Sequence, residues 1–125
     1  MPTVLIVEDE FAIADLLEMA LTDEGYQVQH AANGRQGLER LAEGPRPDLV
    51  ITDYMMPILD GAGLLKAMRD TRAQRDIPCI VMSSMPEANI RERVTGYAAF
   101  VRKPFQLAAV VQLVARVLDV SGPES

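Results

Sequence analysis

The apolar residues of the chain fall into five short runs, separated by longer stretches with helical spacing. Two of these runs, Val4–Val7 and Leu49–Ile51, are continuously apolar, as is typical of strands that are covered on both faces of a parallel sheet. The pattern predicts five strands, which are Thr3–Val7, Gln27–Ala31, Leu49–Thr52, Cys79–Met82 and Ala99–Val101.

The stretches between these strands predict five helices, near 11–24, 34–43, 60–72, 86–95 and 105–119. In the first of them Phe11, Ala14, Leu17 and Leu21 recur at intervals of three and four, which places them on one helix face. Regular alternation of strands and helices predicts an α/β domain whose parallel sheet carries helices on both faces, joined by right-handed crossovers. We expect this domain to occupy residues 1–119 and residues 120–125 to form a flexible tail.

Length, composition and charge narrow the class of protein. The 125 residues suffice for one domain with a real core, and no apolar run is long enough to span a membrane. The start of the chain lacks the features of a signal peptide, so we expect a cytoplasmic protein. Its net charge of −6 argues against nucleic-acid or membrane binding and favours a protein partner. The lone Cys79, flanked by apolar residues, is typical of a core position.

Polar residues follow four of the five predicted strands. These residues are Glu8–Glu10, Asp53, Ser83 and Lys103. Ligands of parallel α/β sheets bind at the carboxyl ends of the strands, so we expect these side chains to meet. Clustered carboxylates without His or Cys favour a hard cation such as Mg²⁺. A carboxylate beside such a cation and a lysine can attack phosphorus, which predicts an aspartyl phosphate at Asp53.

The residues at these strand ends, with their neighbours, resemble the receiver domains of two-component response regulators. The resemblance covers Val4 to about Leu118 and rests on Val7–Glu10, Asp53–Gly61, Ser83–Ser84, Gly96–Phe100 and Val101–Phe105. It implies a flavodoxin-like, doubly wound fold with strand order 2-1-3-4-5. It also implies a single-domain regulator that takes a phosphoryl group from a sensor histidine kinase or a histidine phosphotransfer protein.

The resemblance also implies a role for each matching residue. Asp53 would be the phosphoacceptor, while Ser83 and Lys103 would contact the phosphoryl oxygens. The Mg²⁺ ion, for which Mn²⁺ could substitute, would be held by Asp9 and Asp53. Two further ligands would be the Met55 carbonyl, bound directly, and Glu8, acting through water.

The resemblance further implies a conformational switch. Phe100 would swing inward when Ser83 moves toward the phosphoryl group, and the Lys103–Pro104 peptide would be cis. The face formed by the fourth helix, the fifth strand and the fifth helix would then signal to a downstream protein. Such a domain is no ordinary enzyme, although it catalyses its own phosphorylation and slow dephosphorylation.

Two departures from the family pattern stand out. The interval from Ser83 to Lys103 is about two residues shorter than usual, so we expect a trimmed loop or helix within 85–95. Met55 and Met85 occupy places where the rapidly dephosphorylating members have polar residues that orient water. We therefore expect slow hydrolysis of the phosphorylated form.

Alternatives remain at this point. The chain could be a pseudo-receiver that binds proteins without control by phosphorylation, although Asp9, Asp53, Ser83 and Lys103 are all retained. A haloacid-dehalogenase-like phosphatase would carry a second acid two residues after its nucleophile, where this chain has Met55. The apolar last helix could form a homodimer or simply lie deep in the core. His30 is expected to be a solvated residue away from the site.

Overall fold

The computed structural model describes residues 1–121, with side chains as far as Asp119. Its five strands form one parallel sheet in the order β2-β1-β3-β4-β5, which confirms the predicted fold. The strands are β1 (Thr3–Val7), β2 (Gln27–Ala31), β3 (Leu49–Asp53), β4 (Cys79–Ser83) and β5 (Ala99–Arg102). Each strand lies within one residue of its predicted bounds, because the apolar runs mark the buried centre of the sheet.

Five helices connect and follow the strands. They are α1 (Phe11–Asp23), α2 (Gly34–Glu43), α3 (Gly61–Arg69), α4 (Glu87–Arg91) and α5 (Leu107–Ser121). The last helix extends two residues past the predicted domain end at residue 119, and the rest of the predicted tail, 122–125, lies outside the described residues. Within residues 1–121, none of the helices combines the length and the apolar run that crossing a membrane requires.

Two separate cores lie on the two faces of the sheet. Along β1, Val4 and Ile6 point to one face, while Leu5 and Val7 point to the other, as the two-residue period of a strand requires. The core on the face of Val4 and Ile6 includes residues of α1 and α5, and the core on the face of Leu5 and Val7 includes residues of α2, α3 and α4. Helices therefore cover both faces, which explains why the central strands are continuously apolar.

The fourth helix is much shorter than the predicted 86–95. It ends at Arg91, and the N–H groups of Arg93 and Val94 both donate to the carbonyl oxygen of Ile90, at 2.9 and 2.8 Å. Ile90 and Val94 are buried, and Gly96 turns the chain with a φ of +82°. Because β-branched residues and glycine follow Arg93, helix continuation is unfavourable, and the chain runs directly toward β5. The short interval between Ser83 and Lys103 is thus accompanied by a short α4 of five residues.

Candidate functional site

The strand register brings the predicted site residues to one edge of the sheet. Val7 pairs with Thr52, so Glu8, directly after β1, and Asp53, the last residue of β3, lie side by side. Ser83 pairs with Arg102, so Lys103 follows immediately beside Ser83. At this edge a crevice opens between β1 and β3. From β1 the chain continues to β2 on one side, and from β3 it continues to β4 on the other, and sheets of this kind bind ligands at such a point.

A tight turn seats the start of α3 against the backbone of Asp53. The Gly61 N–H donates to the Tyr54 carbonyl oxygen at 2.8 Å, and a Cβ on Gly61 would lie 2.8 Å from the Asp53 carbonyl oxygen. Only glycine permits this approach. The Asp60 carboxylate accepts a hydrogen bond from the Gly63 N–H at 2.9 Å and so caps the helix, as its sequence position predicts.

Lys103 joins three carboxylates. Its Nζ lies 3.0 Å from Asp53 Oδ2, 3.1 Å from Glu8 Oε1 and 3.8 Å from Glu10 Oε1. The Glu8 side chain is fully buried, and the side chains of Asp53 and Lys103 are largely buried, so solvent screens these pairs only weakly. The lysine therefore offsets part of the negative charge that the strand ends collect.

The ionisation equilibria of this cluster are shifted by burial. Burial raises the pKa of Glu8 from 4.5 to about 7, against the lowering effect of its hydrogen bond from the Glu10 N–H. Burial also raises the pKa of Asp53, while Lys103 works in the opposite direction. Burial by itself would lower the pKa of Lys103, but its hydrogen bonds and charge contacts with Asp53 and Glu8 outweigh that effect and raise it. Both carboxyl groups are thus less easily ionised than in water, mainly because they are buried.

The same carboxylates could hold a cation. Carboxylate oxygens of Glu8, Glu10 and Asp53 lie within 4.8 Å of one another, and all are hard donors of the kind that Mg²⁺ selects. The residues present therefore fit the ion. Asp9, predicted as a direct ligand, has an exposed side chain that lines the neighbouring cleft. Glu10 belongs to this group although the sequence predicts no ligand role for it beyond its place in a run of three acids.

The remaining predicted residues occupy the β4 and β5 side of the crevice. Ser83 is buried, and its Oγ accepts a hydrogen bond from the Met85 N–H at 3.0 Å. Phe100 is half-buried against the core beneath α3 and α4, and the Lys103–Pro104 peptide is cis. Asp53, Lys103 and Ser83 are thus neighbours at one strand edge, whereas their roles in phosphorylation and switching remain predictions.

An open cleft of about 500 Å³ is lined by Tyr54 and Met55, which directly follow Asp53 in the chain, although Asp53 itself does not line it. Met55, with an exposed side chain, and Met85 both line it, as does Asp9. The two methionines that are predicted to slow hydrolysis therefore share one cleft. The residues that line it are Asp9, Tyr54, Met55, Met56, Pro57, Asp60, Met85 and Arg93.

His30 is closer to the site than expected. Its Nε2 lies 2.9 Å from the carbonyl oxygen of Glu8, and its ring meets that of Phe11 edge to face at 5.6 Å between centroids. The expectation that His30 lies away from the site is therefore wrong, while its side chain is half-buried and keeps part of its exposure to solvent. The reason is the parallel pairing of β1 with β2, which places Ile6 beside His30 and the end of β1 within reach of the imidazole.

The fold and the acidic cluster at the strand ends define a doubly wound α/β domain with a candidate cation site, and comparison with known proteins identifies the family. The chain matches the response regulator receiver domain family over residues 4–115 and belongs to it. The transcriptional regulatory protein PrrA of Mycobacterium tuberculosis is 36% identical over 125 residues, which cover 97% of this chain and 52% of PrrA. The DNA-binding regulator RpaA of Synechocystis is 33% identical, with coverage of 94% and 48%. The chain spans about half the length of these curated relatives.

Solved structures agree with this assignment. The signal receiver domain of a histidine kinase from Syntrophus aciditrophicus has a TM-score of 0.89 at 33% identity, covering 98% of this chain and 94% of that one. The receiver domain of a sensor histidine kinase from Pseudomonas aeruginosa, with a magnesium ion coordinated in its active-site cleft, has a TM-score of 0.86 at 26% identity, with coverage of 94% and 98%. Receiver domains bind Mg²⁺ through an acidic cluster and interact with histidine kinases or phosphotransfer proteins.

Proposed function

We propose that Asp53 accepts a phosphoryl group from the phosphohistidine of a sensor kinase or a phosphotransfer protein, in a reaction that requires Mg²⁺. The observation that carries this proposal is the position of the Asp53 carboxylate. It lies at the end of a buried strand, 3.0 Å from Lys103 and within a few ångströms of the carboxylates of Glu8 and Glu10. Family membership supports the same reaction.

In the proposed reaction a carboxylate oxygen of Asp53 attacks phosphorus. An O–P bond forms as the P–N bond to the donor imidazole breaks, and the nitrogen keeps the electron pair of that bond. Lys103 leaves its contact with Asp53 to pair with a phosphoryl oxygen, and the Ser83 hydroxyl donates to another. Glu8, Glu10, Asp9 and the Met55 carbonyl are the groups available to hold Mg²⁺. The ion, when bound, would neutralise charge on the phosphoryl oxygens.

The proposed output is a population shift at the β5 side of the domain. Movement of Ser83 toward the phosphoryl group would break its hydrogen bond from the Met85 N–H and free space for Phe100 to turn inward. Because α4 has only five residues, the signalling face would consist mainly of β5 and α5. A downstream protein would bind this face, or a second copy of the chain would bind to it through α5. The curated relatives are transcriptional regulators, so the absence of a nucleic-acid partner remains a prediction.

Intact-protein mass spectrometry tests the proposal. The chain is incubated with acetyl phosphate, or with a phosphorylated histidine phosphotransfer protein, with and without Mg²⁺. One phosphoryl adduct is expected, only with Mg²⁺, and it should be absent in Asp53→Asn. Asp60→Asn is the matched control, because Asn keeps the helix cap while removing a nearby carboxylate, and this variant should still be phosphorylated. A folded chain that takes no adduct from either donor would contradict the proposal and favour the pseudo-receiver.

A further inference from the structure

Arg93 lies where two depressions of the surface meet. One is the cleft lined by Tyr54 and Met55, the two residues after Asp53, and the other is a cavity of about 450 Å³ between α3 and the segment that follows α4. The backbone of Arg93 is held in place because its N–H donates to Ile90 and because Ile90 and Val94 are both buried. The early end of α4 thus leaves an arginine on the rim of the cleft.

The other basic residues near this rim already have partners. The Arg91 guanidinium lies 3.6 Å from the Glu87 carboxylate, and the Arg69 guanidinium donates to the Thr95 carbonyl oxygen. Lys103 is shared among three carboxylates. Within the described part of the chain, the exposed Arg93 has no ion pair and no side-chain hydrogen bond. It is therefore available to bind an anion.

The charge of the cleft gives this arginine a specific use. Arg93 is the one basic side chain among the described residues that line the cleft, whereas Asp9 and Asp60 line it as acids. An incoming phosphoryl group, which is anionic, would be repelled by these acids and by the carboxylates around Asp53. A guanidinium presents parallel N–H donors that match two oxygens of such a group.

We propose that Arg93 binds the phosphoryl group of the incoming donor and so positions it for attack by Asp53. This inference rests on the proposed function, and it adds a donor-binding residue to that site. With acetyl phosphate, the P–O bond to acetate breaks as the bond to Asp53 forms, and acetate leaves with the electron pair. Arg93 would hold two oxygens that stay on phosphorus throughout, so no proton moves through it.

The test measures the initial rate of phosphorylation against acetyl phosphate concentration, at saturating Mg²⁺, by intact mass. In Arg93→Ala the half-saturating concentration should rise roughly tenfold, the effect of one charge-assisted hydrogen-bonded contact on binding. The maximal rate should stay near that of the natural chain, because the contact is equally strong before and during transfer. Arg93→Lys, which retains a point charge, should give an intermediate value. Arg91→Ala is the matched control, since it removes the same charge from a residue that does not line the cleft.

The outcomes separate the two proposals. A natural chain that takes no phosphoryl group from acetyl phosphate or from a phosphorylated phosphotransfer protein overturns both the proposed function and this inference. A natural chain that is phosphorylated, with Arg93→Ala matching its half-saturating concentration, overturns only the role of Arg93. An equal rise in Arg91→Ala would also overturn it, because the effect would then be one of net charge. A purely structural role would instead lower the thermal midpoint of Arg93→Ala and leave the half-saturating concentration unchanged, which again contradicts the inference.

Discussion

Replacement of Glu8 by glutamine tests how much stability the site costs the folded protein. The Glu8 side chain is fully buried, and burial raises its pKa to about 7. Glutamine has nearly the same shape, keeps an oxygen that can accept from the Glu10 N–H, and carries no charge at any pH. The variant should therefore remove the cost of burying a carboxylate while it leaves the packing intact.

The magnitude follows from the pKa. The difference between the ordinary 4.5 and about 7, at about 1.36 kcal/mol for each pH unit, corresponds to roughly 3 kcal/mol. Because the pKa is raised, the folded chain keeps a proton that the unfolded chain has released between pH 4.5 and about 7. The stability of the natural chain therefore falls as pH rises through this window, and the full cost is present above it. Glu8→Gln should be more stable by up to about 3 kcal/mol at pH 8 and nearly equal at pH 4.5.

Urea unfolding in EDTA at pH 4.5 and at pH 8 provides the measurement. Glu39→Gln serves as the control, because Glu39 is an exposed residue of α2 whose replacement should change little at either pH. An advantage of Glu8→Gln that does not grow between the two pH values, or a variant that is less stable at pH 8, would show that burial of the Glu8 carboxylate does not destabilise the fold. Added Mg²⁺ should reduce the advantage, since the ion stabilises a natural chain that binds it better than the variant does.

Three further predictions concern other parts of the molecule. Met55→Asn should shorten the half-life of the phosphorylated chain roughly fivefold, because a hydrogen bond that orients water contributes about 1 kcal/mol. If the decay rate of the phosphorylated form, followed by intact mass, is unchanged, Met55 and Met85 do not exclude water from the site. Gly96→Ala should lower the free energy of unfolding by roughly 2 kcal/mol, since its φ is +82° and a Cβ would collide with the Arg69 guanidinium. Urea denaturation that shows no loss of unfolding free energy would refute this prediction. The Cys79 thiol, whose pKa burial raises to about 12, should react with iodoacetamide only after unfolding, and rapid native labelling would contradict its burial.

The sequence by itself was sufficient to predict the strands, the helical layers on both faces of the sheet, and the end of the sheet at which the site lies. Continuous apolar runs such as Val4–Val7 can be satisfied only between two helical layers, so local pattern and global fold agree there. The position of Asp53 at a strand end follows from the same pattern. Residues at strand ends of a parallel sheet necessarily share one edge, which is why Lys103 could be assigned to the cluster from its sequence position.

Only the tertiary structure decided which groups touch. Lys103 lies 50 residues from Asp53 and 95 from Glu8 along the chain, and the distances of 3.0 and 3.1 Å depend on the sheet register and on burial. The contact of His30 with the Glu8 carbonyl depends likewise on the pairing of two strands. The position of Arg93 on the rim of the cleft depends on where α4 ends. Val94, Thr95 and Gly96 disfavour helix continuation locally, but the burial of Ile90 and Val94 against the core, which fixes the path of the chain there, is not contained in the sequence pattern.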